Sequence, residues 1–165
     1  MKPRVYVETS VISYLAARPS RDPVQAARQF QARIFWNSGS RFTLLVSPVV
    51  VDEASRGHAG QAVKRLTLME GLQVLSAPPE AEYLAQLLIE RKALPVRAVS
   101  DAAHIAIATV HEVKAIASFN FRHIAGAFAR RKIEMTLRQL GYEPPVIATP
   151  EEILGDFDEK ASTTR

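Results

Sequence analysis

The 165-residue chain contains no cysteine. That excludes disulfides, thiolate nucleophiles and every zinc or iron–sulfur site built on cysteine ligands, and it suits a reducing compartment. No apolar run approaches the roughly 18 residues needed to cross a membrane. The first residues, MKPRVYVE, begin basic, but Glu8 interrupts the apolar stretch before it reaches the length of a secretory signal. The expectation is a soluble, cytoplasmic protein with no membrane partner. Glycine is sparse, with seven residues, and none builds a Gly-rich loop after a β-prone run, which argues against a phosphate-cradling nucleotide site. Internal repeats and low-complexity stretches are also missing.

What remains is ordinary in amount and uneven in arrangement. A mass of 18.2 kDa with 47% apolar and 23% charged residues fits one globular domain with its own core. Residues 1–142 hold 19 basic against 11 acidic side chains, a net +8, whereas residues 143–165 hold two against six. A basic body suits a polyanionic partner, and solvated helix faces account for the same charges equally well.

Short apolar runs alternate with helical patterns. β-prone segments fall at Arg4–Val7, Phe42–Val46, Leu72–Leu75, Ala115–Phe119 and Val146–Ala148. Between them lie helices over Thr9–Ala17, Pro23–Trp36, Pro48–Ser55, Gln61–Glu70, Glu80–Lys92, Asp101–His111 and Ile124–Leu140. Asp22-Pro23 and Ser47-Pro48 are cap-then-proline starts, and Ser100 is the expected cap of the helix beginning at Asp101. That helix, DAAHIAIATV, is apolar around most of its circumference and belongs inside the domain. The pattern predicts an α/β fold, a three-layer α/β/α sandwich around a short-stranded parallel sheet. The domain spans 1–154, and 155–165 read as an acidic, frayed tail.

In open parallel sheets the site lies outside the carboxyl ends of the strands. Glu8 directly follows the first strand and Asn120 the fourth. Asp52 and Glu53 lie in the helix entered from the second strand, and Asp101 begins the helix leading to the fourth. Carboxylates converging there repel one another unless a cation neutralises them, and oxygen donors favour Mg²⁺ or Mn²⁺. Such an ion facing a polyanion implies phosphodiester chemistry.

Four segments, VETSVISYL, SPVVVDEASRG, SDAAHIAIA and FNFRHIA, occur in an order and spacing that resemble the PIN-domain family, with the closest likeness to its VapC-like toxin-type branch. The resemblance implies a compact α/β/α nuclease fold, Mg²⁺- or Mn²⁺-dependent hydrolysis of RNA, a small antitoxin as partner, and dimerisation. Carried over by position, it makes Glu8, Glu53 and Asp101 the metal ligands and puts Asn120 at the fourth catalytic place. Two positions depart from the family pattern. Glu8 stands where Asp is usual, reaching about 1.5 Å further, and Asn120 lacks a charge, which favours one metal over two. The altered positions keep a second reading in view: a PIN-like module that binds RNA or a partner with little catalysis.

Thr9 and Ser10 are expected to supply hydroxyl or backbone hydrogen bonds near the metal. His104 shares a helix face with Asp101, so it is expected either to touch substrate or orient Asp101, or to be a buried histidine bonded to a backbone carbonyl. Arg122 and His123 are expected phosphate contacts, the latter equally a surface residue. Arg130, Arg131, Lys132 and Arg138 extend the candidate RNA-facing surface. Phe121 and Phe128 suit either base stacking or the helix core, with the core favoured. No third His or Cys completes a zinc set with His104 and His111.

Overall fold

The computed structural model describes residues 1–163. Five strands form one sheet: β1 (Arg4–Val7), β2 (Thr43–Val46), β3 (Gln73–Val74), β4 (Ala115–Ala117) and β5 (Val146–Ala148). Their spatial order is β3-β2-β1-β4-β5, and every pairing is parallel. The helices are α1 (Thr9–Ala16), α2 (Pro23–Asn37), α3 (Pro48–Ser55), α4 (Ala59–Leu68), α5 (Pro79–Glu90), α6 (Val99–Val110), α7 (Ala127–Gln139) and α8 (Pro150–Thr163). Among the described residues, no helix is long and apolar enough to cross a membrane.

The two central strands explain why the sheet is parallel and short. Val5, Tyr6 and Val7 of β1, with Ile116 and Ala117 of β4, are fully buried, so the strands need cover on both faces. Helices supply it: α2 packs against α1 and α8, and α6 packs against α5. This is the expected α/β/α sandwich. Along α6, Ala102, Ile105, Ala106 and Ala108 are all inaccessible to solvent, as its near-uniform apolar sequence requires.

Topology then fixes where a site must lie. From β1 the chain steps outward through β2 to β3, and later returns to β4 on the other side of β1. The switch between β1 and β4 opens a crevice beyond their carboxyl ends. Glu8 and the segment 118–120 border that crevice.

Several boundaries differ from the sequence reading, each for a local reason. Helix α6 starts at Val99 with Ala98 as its cap, so Ser100 lies in the first turn and does not cap it. Strand β4 stops at Ala117. Helix α7 starts at Ala127, three residues later than its pattern predicts, because the carbonyl of Asn120 accepts both Ile124 N–H and Ala125 N–H and holds the intervening residues in a tight turn. The chain from Pro150 to Thr163 is helical through most of the segment expected as a tail. Glu152 and Thr149 cap its start reciprocally, by Thr149 N–H to Glu152 Oε2 and Glu152 N–H to Thr149 Oγ1. Residues 164 and 165 of that tail lie outside the described residues.

Gly126 closes the turn that follows β4. A methyl group at this position would meet the carbonyl oxygen of Phe121 at 2.2 Å, so backbone must yield if any side chain is introduced. Gly126→Ala is expected to destabilise the fold by about 1–3 kcal/mol in urea unfolding. A change below about 0.5 kcal/mol would show that the turn relaxes freely.

Candidate active site

Glu8 leaves β1 and becomes the N-cap of α1. Its Oε1 accepts Ser10 N–H at 3.1 Å, and its Oε2 accepts the hydroxyls of Ser10 at 2.5 Å and Ser118 at 2.7 Å. The two hydroxyls also accept backbone donors: Ser10 Oγ from Phe119 N–H at 2.8 Å, and Ser118 Oγ from Asn120 N–H at 3.0 Å. One carboxylate thereby ties the end of β1 to the extension of β4. The extra methylene of glutamate is absorbed by folding back onto its own helix cap, and only 4% of the residue is exposed.

Glu53 lies in the last turn of α3. Its neighbour Asp52 is exposed and pairs with Arg56. Glu53 Oε1 meets His104 Nε2 at 2.5 Å and accepts the Thr9 hydroxyl at 3.3 Å. Behind it, His104 Nδ1 lies 2.7 Å from the Tyr6 hydroxyl, which lies 2.7 Å from Ser47 Oγ. Tyr6, Ser47 and His104 are all fully buried. Both nitrogens of His104 are therefore taken by side chains, and it stands behind Glu53. It bonds neither Asp101 nor a backbone carbonyl, and its burial keeps it from a substrate.

Asp101, in the first turn of α6, accepts Asn120 Nδ2 at 2.9 Å on Oδ1 and meets His123 Nδ1 at 2.7 Å on Oδ2. The Asn120 oxygen is occupied by His123 N–H at 3.2 Å. Asn120 thus caps its turn, as Asn commonly does, while holding Asp101. His123 is engaged with Asp101, whereas Arg122 is exposed. Farther along, Arg130 bonds Ile147 O and Glu152, and Arg138 bonds Glu134 and Glu143, so these two belong to local pairs. Phe121 and Phe128 are 41% and 86% exposed, contrary to their expected place in the core.

Glu8, Thr9, Ser10, Ser13, Tyr14, Ala17, Glu53, Phe119 and Asn120 line one cleft of about 560 Å³. No Lys or Arg is among them. Asp101 stands behind Asn120 at its edge. The three acids act together on His104: burial favours its neutral form, but the Glu53 hydrogen bond and the charges of Glu8, Glu53 and Asp101 raise its pKa. Glu53 moves the other way. Burial favours its protonated form, yet the hydrogen bond and charge of His104, with hydrogen bonds from Ser100 and Thr9, lower its pKa. Burial keeps the Tyr6 phenol protonated, pushing its pKa far up against the smaller opposite effect of Ser47.

This donor set, carboxylate and hydroxyl oxygens without a neighbouring ammonium or guanidinium, fits a hard divalent cation by its chemistry. In the arrangement seen, each acid is satisfied by separate partners. Among the described residues no three His, Asp or Glu side chains surround a common point that would hold an ion. The sequence reading missed Tyr6, Ser47 and Ser118. Their signal was a hydroxyl inside or just past three apolar strands, at the edge where a site is expected.

A parallel α/β/α domain with acids gathered beyond β1 and β4 defines the class. The chain belongs to the PIN domain family, whose model matches residues 5–129. Among solved structures it is similar to VapC20 of Mycobacterium tuberculosis, a Sarcin-Ricin loop cleaving toxin, with a TM-score of 0.57 and 20% identity over 77% of this chain and 94% of that one. It is also similar to VapBC2 of Rickettsia felis, bound to a DNA fragment from its promoter, with a TM-score of 0.54 and 10% identity over 88% and 98% of the two chains. No curated protein matches the sequence.

The paired shifts at Glu53 and His104 set a pH window. A raised His104 pKa contributes stability in full below the unfolded histidine value of about 6.5, and loses it as pH rises through the folded value. A lowered Glu53 pKa contributes above the unfolded value of about 4.3, and loses it as pH falls through the folded value. Metal-free protein is expected to lose urea stability as pH rises above about 6.5, and His104→Gln to flatten that slope. An identical slope in the variant would place the titration elsewhere.

Proposed function

We propose that this protein is a divalent-metal-dependent endoribonuclease of the VapC-like toxin type. The observation that carries the reading is the placing of Glu8, Glu53 and Asp101, each held by its own hydrogen-bond partners, at the carboxyl edge of a PIN-domain sheet. RNA as substrate is supported by the basic body of the chain and by the fold's likeness to an RNA-cleaving toxin.

Glu8, Glu53 and Asp101 would hold Mg²⁺ or Mn²⁺. When bound, such an ion polarises a phosphoryl oxygen and offsets the charge that develops there. The chain's own groups prepare the acids for this. Ser10 and Ser118 hold Glu8, His104 and Thr9 hold Glu53, and Asn120 and His123 hold Asp101, so little side-chain freedom remains to be lost when a ligand arrives. Thr9 and Ser10 act here through the carboxylates, and Arg122, exposed beside the turn, is positioned to meet a backbone phosphate. The likeness to a VapBC2 assembly supports a small antitoxin as partner; a homodimer and a cytoplasmic setting complete the proposal.

Two observations favour the second reading, a PIN-like binding module with little catalysis. The Asn120 oxygen is consumed by His123 N–H, and the three acids do not surround a common point.

The two readings part on a pair of measurements. Wild-type protein is expected to bind Mn²⁺ by calorimetry and to cleave RNA in its presence. Asp101→Asn and Glu53→Gln, each retaining a native circular dichroism spectrum, are expected to lower cleavage by about 100-fold or more and to weaken Mn²⁺ binding. Failure of the wild type to bind at about millimolar Mn²⁺ with RNA present would overturn the nuclease reading in favour of the module.

A further inference from the structure

The cleft has two unlike ends. Glu8 and Glu53 form one; Tyr14, Ala17 and Phe119 form the other, and they are apolar. The Tyr14 ring packs edge-to-face on Phe119 with centroids 5.1 Å apart, so its orientation is fixed. Its hydroxyl accepts a hydrogen bond from Arg28 Nη1 of α2 at 3.1 Å. The same guanidinium lies 4.7 Å from the centroid of Phe121. Among the described residues Arg28 pairs with no carboxylate, so its charge is uncompensated at the mouth of an acidic cleft.

Phe121 is the unusual member. It stands 41% exposed on the turn after β4, with the Arg28 guanidinium over its ring. The turn holding it is rigid: Phe121 N–H bonds Phe119 O at 2.9 Å, and its carbonyl is close-packed against Gly126. A planar guanidinium laid on a fixed aromatic ring offers a flat, cationic surface. Unstacked nucleobases bind such surfaces, through stacking and cation–π attraction, with little regard to base identity.

We propose that Tyr14, Arg28 and Phe121 form a stacking subsite for the nucleobase next to the phosphate held at the acidic end. This inference rests on the ribonuclease reading. Tyr14 links the two functions, since its ring lines the cleft with Glu8 and Glu53 while its hydroxyl holds Arg28 in place. Phe121 and Arg28 provide the shelf itself.

The test compares two fluorescent probes of equal length and charge, a single-stranded oligouridylate and its abasic ribose-phosphate counterpart. Binding is followed by anisotropy with Ca²⁺ in place of Mg²⁺ or Mn²⁺, over times at which gel analysis shows both probes intact, and oligouridylate has negligible stacking of its own to interfere. Wild-type protein is expected to favour oligouridylate by about tenfold. Phe121→Ala, and independently Arg28→Gln, are expected to bring that ratio close to one, with Phe121→Ala leaving abasic affinity unchanged within about twofold. Both variants are checked for a native circular dichroism spectrum. A ratio that stays near tenfold in both folded variants overturns the subsite while the nuclease reading stands. A wild type that binds neither probe and cleaves no RNA with Mn²⁺ overturns the nuclease reading, and the subsite with it.

Discussion

Carboxylates gathered at the edge of a sheet repel one another, and burial makes the repulsion stronger because water no longer screens it. Here the charge is met without lysine or arginine. Hydroxyls cradle Glu8, imidazoles stand against Glu53 and Asp101, and an asparagine amide completes the set. Each of these groups lowers the cost of holding an anion there, and no lysine or arginine is among the residues that line the cleft. His104 is the centre of this arrangement, since it bonds one acid and feels the charge of all three. Its own orientation is fixed from the core by Tyr6 and Ser47.

That requirement reaches into the strands. A fully buried tyrosine in β1 is an expensive choice unless its hydroxyl is satisfied, and Ser47 and His104 together satisfy it. Serines 47 and 118 stand immediately past β2 and β4, where a helix cap or a bulkier side chain would be equally common. Ser47 caps α3 by position only; its hydroxyl is turned inward to Tyr6. The sheet thus carries a polar layer at its carboxyl edge while the rest of its interior remains apolar. Glu8, one methylene longer than the aspartate usual in the family, fits because it doubles as the cap of α1.

The cleft is as asymmetric as the chemistry proposed for it. Acids converge from β1, α3 and α6, whereas the aromatic end is built from α1 and the extension of β4, with Arg28 reaching across from α2. Phosphodiester chemistry needs a charged end for the phosphate and a tolerant, flat end for what the phosphate joins. Both ends rest on the same short segments, so displacement of the turn around Asn120 would disturb the acids and the aromatic wall together.

By itself the sequence determined the alternation of short strands and helices, the cap at Asp22, the proline starts at Pro23 and Pro48, the burial of α6, and the places of Glu8, Glu53 and Asp101 past the strands or at helix starts. These are local or periodic signals, written in neighbouring residues and readable one segment at a time. Tertiary structure alone decided which partners those acids have. His104 bonds Glu53 across 51 positions and Tyr6 across 98, and Ser118 reaches Glu8 across 110. The exposure of Phe121 and the late start of α7 also follow from the Asn120 turn, in which a side chain and a carbonyl take backbone donors that the helix pattern assigns to helix. Periodicity places an element, but a hydrogen bond between distant segments exists only once the sheet order brings their ends together, and no spacing along the chain encodes that meeting.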